Sequence, residues 1–331
     1  MDIAVSVIIP AYNTEKYIYK AIDSALSQTL KNLEVVVVDD CSRDNTIKVV
    51  HSFDDPRVRL LINSKNLGPG GARNRAIRAA NGTWVAVLDS DDWYAPERLE
   101  RLVQVAQQKN ADLVVDDLNL IEYGAISPWG TMIGESGQNI SSLTAITAAD
   151  FVRSNIEGQG GLRLGFSKPL FRRDFLLKHN IEYSETLKIG EDFWLYMECF
   201  LYGAAFFLVP EPYYFYCARP DSLVSGNKIK RLEDQCQSIN DFLANKDYLD
   251  KNPQVNQALL LHQSESQRWL DYYRVVEPLK QGNVSTAVIA MTTNPKFFQH
   301  VSSQIPKIIK RRLKSSFGNT EESSQKNIFQ T

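Results

Sequence analysis

The chain has 331 residues, of which 44% are hydrophobic and 23% are charged, and its net charge is −2. A chain of this length and composition can bury a full globular core, and its charge gives no reason to expect nucleic acid as a partner. The four cysteines form no Cys-x-x-Cys pair and the four histidines are scattered. This pattern argues against a zinc site or a disulfide framework and favours a reducing, cytoplasmic location. No signal peptide and no membrane-spanning run is visible.

Short apolar segments alternate with helical ones through the first third of the chain. Strands are predicted at residues 5–10, 33–38, 58–63, 84–89 and 111–121. Helical segments are predicted from about residue 18, from about 45, from about 72 to a stop at Gly82, and over 96–109. This alternation with short links predicts right-handed βαβ units, and therefore an α/β fold with a doubly wound, mostly parallel sheet.

A run of carboxylates follows the apolar stretch at 84–88. Asp89, Asp91 and Asp92 would emerge together at the carboxyl edge of a buried strand, where open α/β sheets bind their ligands. Carboxylates this close repel one another unless a cation neutralises them. Mg²⁺ or Mn²⁺ would neutralise them, because either ion prefers oxygen ligands and often also binds a substrate phosphate. The alternative is an Asx turn that caps the next helix.

Two further features surround this acidic loop. The second predicted strand ends in Asp39 and Asp40, and a Gly-rich loop at 64–71 precedes a helix that carries Arg73. Acidic strand ends beside a Gly-rich turn and a helix with an arginine predict a pocket for a nucleotide diphosphate. No Gly-x-Gly-x-x-Gly follows the first strand and no Gly-x-x-x-x-Gly-Lys-Ser/Thr is present, which argues against a dehydrogenase and a P-loop NTPase.

Four motifs together resemble family 2 glycosyltransferases. They are Val-Ser-Val-Ile-Ile-Pro-Ala-Tyr-Asn at 5–13, Val-Val-Asp-Asp-Cys-Ser-Arg-Asp-Asn-Thr at 37–46, Gly-Gly-Ala-Arg-Asn-Arg-Ala-Ile at 70–77 and Leu-Asp-Ser-Asp-Asp at 88–92. The resemblance covers residues 4–122 closely, weakens over 123–160 and resumes with Gly-Glu-Asp-Phe-Trp at 190–194. It implies the GT-A fold of nucleotide-diphospho-sugar transferases and inversion at the anomeric carbon.

The resemblance also implies which residues bind the donor. They are Pro10, Ala11, Tyr12, Asp39, Asp40, Arg73, Asp91 and Arg219. Asp40, with Asp39 beside it, matches the acid that contacts the base or ribose, and Arg219 resembles a basic position that closes over the diphosphate in some members. Three alternatives remain open: that Asp40 caps the helix near residue 45, that Tyr12 packs in the core, and that Arg73 is a solvated helix residue.

The resemblance also implies the metal ligands and the general base of the reaction. Asp92, with Asp91, matches the ligand of Mn²⁺ or Mg²⁺. Glu191 and Asp192 resemble the acidic pair near the acceptor, and Asp192 is the expected general base, because inversion needs a base that takes the proton of the attacking hydroxyl. The alternative for this pair is an acidic first turn that is favoured by the helix dipole.

The organisation of the whole chain is predicted as four parts. Residues 1–123 form the nucleotide-sugar-binding half and 124–227 the acceptor-binding half of one domain, with a loop that crosses the site at 124–146. Residues 228–317 form a helical extension broken at Pro253, Pro278 and Pro295, and 318–331 form a disordered tail. The segment 296–317 is basic and amphipathic, and it either contacts a membrane surface or docks on the domain.

The expected function is inverting, metal-dependent transfer of a sugar from a nucleotide-diphospho-sugar, with UDP favoured. The expected acceptor is a hydroxyl of a glycan or a lipid-linked glycan, in polysaccharide or glycoconjugate biosynthesis. The alternative is an inactive module that binds a nucleotide-sugar or a partner protein, because a fold by itself does not establish an activity.

Overall fold

The computed structural model describes residues 3–159, 161–187, 190–219, 228–293 and Phe297. They belong to two compact units. The unit that we call the sheet unit is drawn from Met1–Phe151 and Leu162–Arg219, and the helical unit is drawn from Val152–Gly161 and Pro220–Thr331.

The strands of the sheet unit form one sheet. Among the described residues they are β1 (Val5–Ala11), β2 (Leu33–Asp39), β3 (Val58–Ile62), β4 (Trp84–Val87), β5 (Trp93–Tyr94), β6 (Leu113–Glu122), β7 (Gly130–Thr131), β8 (Thr144–Ala145), β9 (Leu170–Arg172) and β10 (Phe206–Ala218). The main order is β3-β2-β1-β4-β9-β6-β10-β5.

Most long strands of this sheet are parallel to their neighbours. Strands β1 to β4 pair in parallel, as do β6 and β10. The short strand β9 runs antiparallel between β4 and β6 and joins the two parallel parts. Every residue of β2 is buried, which explains the apolar run at residues 35–38 within it, because a strand covered on both faces has no solvent-facing side. The predicted α/β fold of the GT-A class, with a doubly wound, mostly parallel sheet, is confirmed.

Helices connect these strands. Up to residue 201 they are α1 (Ile18–Leu26), α2 (Thr46–His51), α3 (Gly68–Ala79), α4 (Arg98–Lys109), α5 (Met132–Ser136), α6 (Ala148–Ser154), α7 (Arg173–His179) and α8 (Glu191–Leu201). The predicted crossing loop 124–146 contains β7, α5 and β8.

Helix α3 begins earlier than the sequence pattern indicated. It starts at Gly68 rather than near residue 72, with a proline in its first turn, where the missing N–H costs nothing. Gly70 is required there, because a Cβ atom would lie 2.4 Å from the carbonyl oxygen of Ser184. The Gly-rich loop is therefore largely the first turn of the helix.

The helical unit contains α9 (Lys228–Leu243), α10 (Lys246–Lys251), α11 (Pro253–Lys280) and α12 (Val284–Thr293). Pro253 begins α11 as predicted, but the predicted break at Pro278 is wrong, because Pro278 lies inside the last turn of α11. The predicted break at Pro295, the amphipathic segment 296–317 apart from Phe297, and the tail 318–331 lie outside the described residues. Within the described part of the chain, no helix combines the length and the apolar character needed to cross a membrane.

Candidate active site

The carboxyl ends of β1, β2 and β4 lie side by side. Ala11 pairs with Asp39 in the register of β1 and β2, and Ile8 pairs with Val87 in the register of β1 and β4. The chain leaves each strand at or just beyond these positions, so the following loops meet at one edge of the sheet. Open α/β sheets bind ligands at this edge.

The two acids that end β2 have different surroundings. Asp40 accepts hydrogen bonds from Asn63 Nδ2 at 2.7 Å and from the backbone N–H groups of Leu67 at 2.9 Å and Gly68 at 2.8 Å. It therefore braces the turn that begins α3, rather than capping α2 as the alternative held. Asp39 accepts from the N–H of Ser42 at 3.0 Å through Oδ2 only. Its Oδ1 is buried and has no donor among the described residues.

Aromatic side chains lie at the ends of β1 and β6. Tyr12 is 45% exposed, which rules out the alternative that it packs in the core, whereas Ala11 beside it is buried. Tyr17, at the start of α1, meets the exposed Tyr123 edge to face with 5.1 Å between ring centres. Aromatic faces and a half-buried Pro10 thus line this edge of the sheet.

Asp92 is held inside the acidic loop. The hydroxyl of Tyr214 donates to its Oδ2 at 2.6 Å, and the N–H of Cys217 donates to its Oδ1 at 2.7 Å. Burial, and then the charges of Asp91 and Asp89, raise the pKa of Asp92 well above its ordinary value. Each oxygen thus accepts a hydrogen bond and the residue is only 2% exposed, so the predicted role of Asp92 as metal ligand stays a prediction that these contacts disfavour.

Asp91 is better placed to receive a cation. Its side chain is 19% exposed, and Arg219 Nε donates to its Oδ2 at 2.5 Å. Within the described residues no three His, Cys, Asp or Glu side chains are grouped closely enough to hold a metal ion by themselves. Mg²⁺ and Mn²⁺ at phosphate sites need only one or two carboxylates, since the substrate phosphates and water complete the coordination. The partly exposed carboxylate of Asp91 fits that arrangement.

Arg73 is buried within a set of carboxylates. Its Nη2 donates to Asp89 Oδ1 at 2.7 Å and its Nη1 donates to Glu191 Oε1 at 2.8 Å, while Asp192 Oδ1 lies 3.6 Å from Nη1. Burial lowers the pKa of Arg73, but the charges of Asp192, Asp89 and Glu191 outweigh burial and raise this pKa well above its ordinary value. The alternative of a solvated helix arginine is therefore wrong. Arg73 joins the acidic loop to the start of α8.

Glu191 and Asp192 begin α8 behind Gly190, which has a positive φ of 86°. They are only 7% and 8% exposed, so the pair is more than a solvated acidic first turn. Burial and the adjacent Asp192 raise the pKa of Glu191, while Arg73 lowers it. Asp192 Oδ1 is buried and, within the described part of the chain, has no hydrogen-bond donor.

Lys168 is a site residue that the sequence analysis missed. Its Nζ donates to Asp192 Oδ2 at 2.6 Å and lies 3.1 Å from Asp89 Oδ2, and the residue is 5% exposed. Burial lowers the pKa of Lys168, but the charges of Asp192 and Asp89 raise it above its ordinary value. A single lysine before a short strand carries no signal in the sequence. It becomes central because β9 inserts between β4 and β6.

A second buried ion pair, Arg98 with Asp116, anchors the backbone of Lys168. Arg98, which is fully buried, contacts Asp116 through Nε and through Nη2, the latter at 2.7 Å, and Nη2 also donates to the carbonyl oxygen of Lys168. The backbone of Lys168 is thereby tied to α4 and β6. Such a pair is costly to break, because removal of one partner leaves the other charge buried and unpaired.

Comparison with known proteins gives the family. Residues 6–145 match the family described as Glycosyl transferase family 2. The chain is 34% identical over 313 residues to the succinoglycan biosynthesis protein ExoO of Rhizobium meliloti (strain 1021), which covers 95% of this chain and 88% of that protein. The chain belongs to glycosyltransferase family 2. The resemblance of the four motifs is thus confirmed.

One further relative is similar in sequence, and two solved structures share the fold. Over 125 residues, 38% of this chain and 49% of the relative, the chain is 39% identical to the Escherichia coli UDP-Glc:alpha-D-GlcNAc-diphosphoundecaprenol beta-1,3-glucosyltransferase WfgD. S. aureus TarS 1–349 in complex with UDP-GlcNAc has a TM-score of 0.61 at 20% identity and covers 89% of this chain and 92% of its own. The mannosyltransferase PcManGT from Pyrobaculum calidifontis, in complex with GDP-Man and Mn²⁺, has a TM-score of 0.56 at 18% identity, with 87% and 74% covered.

Proposed function

We propose that this family 2 glycosyltransferase transfers a sugar from a UDP-sugar to a hydroxyl of a lipid-linked glycan, with inversion, during polysaccharide biosynthesis. The observation that carries the proposal is the cluster at the carboxyl edge of the sheet, where Arg73 and Lys168 join Asp89 of the acidic loop to the Glu191–Asp192 pair. UDP-GlcNAc is bound by TarS, and the name of WfgD describes a UDP-glucose donor and a diphosphoundecaprenol-linked acceptor. Both support a UDP-sugar donor and a lipid-linked acceptor.

The donor would be bound along this edge. Asp39 Oδ1, which is buried and has no donor among the described residues, suits an N–H group of the base. The ring of Tyr12 would contact the nucleotide base, together with the backbone of Pro10 and Ala11. Asp40 would act through the turn that it braces. Arg219 would turn from Asp91 towards the diphosphate, for which its planar fork is suited.

Asp91 is the residue that would hold Mn²⁺ or Mg²⁺. The Mn²⁺ complex of PcManGT supports a metal in a protein of this fold. A divalent ion bound there would neutralise charge that develops on the leaving nucleotide diphosphate. This proposal moves the metal from Asp92 to Asp91, because both oxygens of Asp92 already accept hydrogen bonds.

Transfer itself would be a single displacement. The acceptor oxygen forms a bond to the anomeric carbon while the bond from that carbon to the diphosphate oxygen breaks. Asp192 takes the proton of the attacking hydroxyl through Oδ1, its oxygen without a donor, and UDP leaves with the electron pair of the broken bond. Attack from the face opposite UDP inverts the anomeric carbon, so no covalent enzyme intermediate is needed.

The test is a screen of UDP-, GDP- and dTDP-sugars with Mn²⁺, followed by transfer to a lipid-diphosphate-linked sugar. We expect one UDP-sugar to be hydrolysed slowly without an acceptor and transferred with the acceptor, and the product linkage to have the opposite anomeric configuration. A retained configuration would contradict the single displacement. UDP binding without any turnover would favour the alternative of an inactive binding module.

We also propose peripheral contact with a membrane surface. The basic segment 296–317 carries this proposal on sequence alone, and α12 before it exposes Val284 (59%), Val288 (49%) and Ile289 (63%). Exposed aliphatic residues followed by a basic amphipathic segment suit an anionic lipid surface. Flotation with anionic liposomes tests it: equal binding by the full chain and by a truncation before Asn294 would exclude a role for the segment.

A further inference from the structure

Lys168 is a buried cation to which the transfer mechanism assigns no part. Its Nζ lies between two carboxylates, 2.6 Å from Asp192 Oδ2 and 3.1 Å from Asp89 Oδ2. These carboxylates come from different elements, the loop after β4 and the first turn of α8. A lysine in this place either holds the two elements together or binds substrate, and its contacts distinguish the two.

We infer that Lys168 is a positioning residue for the general base Asp192, an inference that rests on the proposed function. The ammonium group uses the Oδ2 oxygen of Asp192 and leaves Oδ1 as the oxygen without a donor among the described residues. It thereby determines which oxygen can accept the proton of the acceptor hydroxyl. In this assignment Lys168 acts through Asp192 and does not itself contact the reacting hydroxyl or the donor.

The arrangement around Asp89 supports this assignment. Each oxygen of Asp89 contacts one cation, Oδ1 Arg73 and Oδ2 Lys168. Lys168 contacts Asp192 at 2.6 Å, and Arg73 contacts Glu191 at 2.8 Å and lies 3.6 Å from Asp192 Oδ1. The two cations therefore fasten the start of α8 to the donor-side loop at two points. A base that must reach the acceptor hydroxyl in a fixed geometry benefits from such a clamp, because small displacements cost large factors in rate.

The anchorage of Lys168 also favours positioning over substrate binding. Its carbonyl oxygen accepts from Arg98 Nη2, and Arg98 is itself paired with Asp116. The next residue, Pro169, accepts from the N–H of Val87 at 3.3 Å, which ties the segment to β4. With 5% exposure and both backbone and side chain engaged, Lys168 has little freedom to turn towards a ligand.

The test compares Lys168→Met, Lys168→Arg and Asp192→Asn with the double variant K168M/D192N, in the full chain. We expect Lys168→Met to lower kcat by about 10²-fold, as for a misplaced catalytic group, while the Kd for UDP with Mn²⁺ changes less than about threefold. Lys168→Arg should restore part of kcat. In the D192N background Lys168→Met should cost less than about threefold, because residues that act as one unit are not additive. Lys178→Met, an exposed lysine in the same unit, is the matched control.

A double-mutant cycle of equilibrium unfolding tests the pair Lys168 and Asp192 without an activity measurement. The effects of Lys168→Met and Asp192→Asn on the unfolding constant should fall short of additivity by about tenfold, as expected for a buried charge pair. Additive unfolding effects would overturn the inference, and so would a Lys168→Met variant with unchanged kcat and weakened UDP binding. If Lys168→Met does not fold, Lys168→Gln replaces it in both cycles, and an unchanged kcat in Lys168→Gln would overturn the inference as well. A wild-type chain that turns over no nucleotide-sugar would contradict the proposed function, and the unfolding cycle would still decide whether Lys168 holds Asp192.

Discussion

Arg219 and Asp91 form an ion pair at the acidic loop. Arg219 Nε donates to Asp91 Oδ2 at 2.5 Å, and the guanidinium group lies 5.0 Å from the centre of the Tyr17 ring. The proposed metal ligand therefore has a cationic partner before any metal or nucleotide binds. Metal binding must compete with this arginine, and diphosphate binding would offer the arginine a new partner.

The first prediction concerns this competition. Without nucleotide, Arg219→Ala should bind Mn²⁺ about three- to tenfold more tightly than wild type, because a partly exposed ion pair contributes about 1 kcal/mol. With UDP present the same variant should bind the nucleotide more weakly. Electron paramagnetic resonance of free Mn²⁺ measures the first effect and calorimetry the second, with the exposed Arg78→Ala as control. Unchanged Mn²⁺ affinity, or full activity of wild type in excess EDTA, would contradict the proposed role of Asp91.

The second prediction separates the two acids of α8. Asp192→Asn should lower the transfer rate by about 10² to 10⁴, the usual cost of a lost general base, while UDP binding stays close to that of wild type. Glu191→Gln should be milder, since its carboxylate is engaged by Arg73. Single-turnover transfer to a known acceptor measures both. An inactive Glu191→Gln beside a nearly normal Asp192→Asn would move the base by one residue.

The third prediction separates the two acids of β2. Asp39→Asn should weaken UDP binding about tenfold and improve CDP binding relative to UDP, because its new amide N–H would face the N–H of uracil but could donate to cytosine. Asp40→Asn should instead destabilise the fold by about 2 kcal/mol, since one of its atoms would become a donor facing the N–H groups of Leu67 or Gly68. Calorimetry and denaturant unfolding measure these effects. Tight, base-selective UDP binding by Asp39→Asn would refute the assignment.

The fourth prediction concerns the support of the acidic loop. The hydroxyl of Tyr214 donates to Asp92 at 2.6 Å and accepts from the N–H of Asp89 at 3.2 Å. Tyr214→Phe should therefore lower the free energy of unfolding by about 1 to 3 kcal/mol, because it leaves a buried carboxylate oxygen without a donor. The half-buried Tyr213→Phe is the matched control and should be close to neutral. Denaturant titration of both variants checks this, and equal stability of the two would contradict it.

The fifth prediction is a pH dependence in the helical unit. Burial lowers the pKa of His262 to about 4, and its Nε2 accepts from Gln235 Nε2 at 2.6 Å. In the unfolded chain a histidine titrates near 6.5. Between these values the unfolded state binds the additional proton, so stability is lost as the pH falls from about 6.5 to about 4.

The size of this effect can be measured against a variant. At pH 4.5 the protonation of His262 should have removed roughly 2 to 3 kcal/mol relative to pH 7. His262→Gln should show a pH dependence of unfolding that is smaller by this amount, whereas the exposed His51→Gln should keep the wild-type dependence. Urea unfolding followed at several pH values checks both variants. An unchanged slope in His262→Gln would show that another group is responsible.

Much of the sheet could be read from the order of residues. The strands β1 to β4 and β6 were predicted within a few residues, because an apolar run closed by polar turn residues needs no distant information. The strand β5 was missed, since two residues carry no periodicity, and so was α7, whose seven residues make only about two turns. The early start of α3 was also missed, because the carboxylate of Asp40 that braces this turn lies 28 residues before Gly68.

The sequence by itself determined the family, the parallel half of the sheet and the edge at which the acidic residues collect. It did so because motif order and strand ends are local properties of the chain. Only the tertiary structure decided which carboxylate oxygens of the site are available to a metal or a substrate. Asp92 accepts a hydrogen bond from Tyr214, 122 residues away, and Arg73 donates to Glu191, 118 residues away. Lys168 is brought between Asp89 and Asp192 by β9. The availability of a carboxylate depends on what surrounds it in space, and residue type and spacing do not specify that.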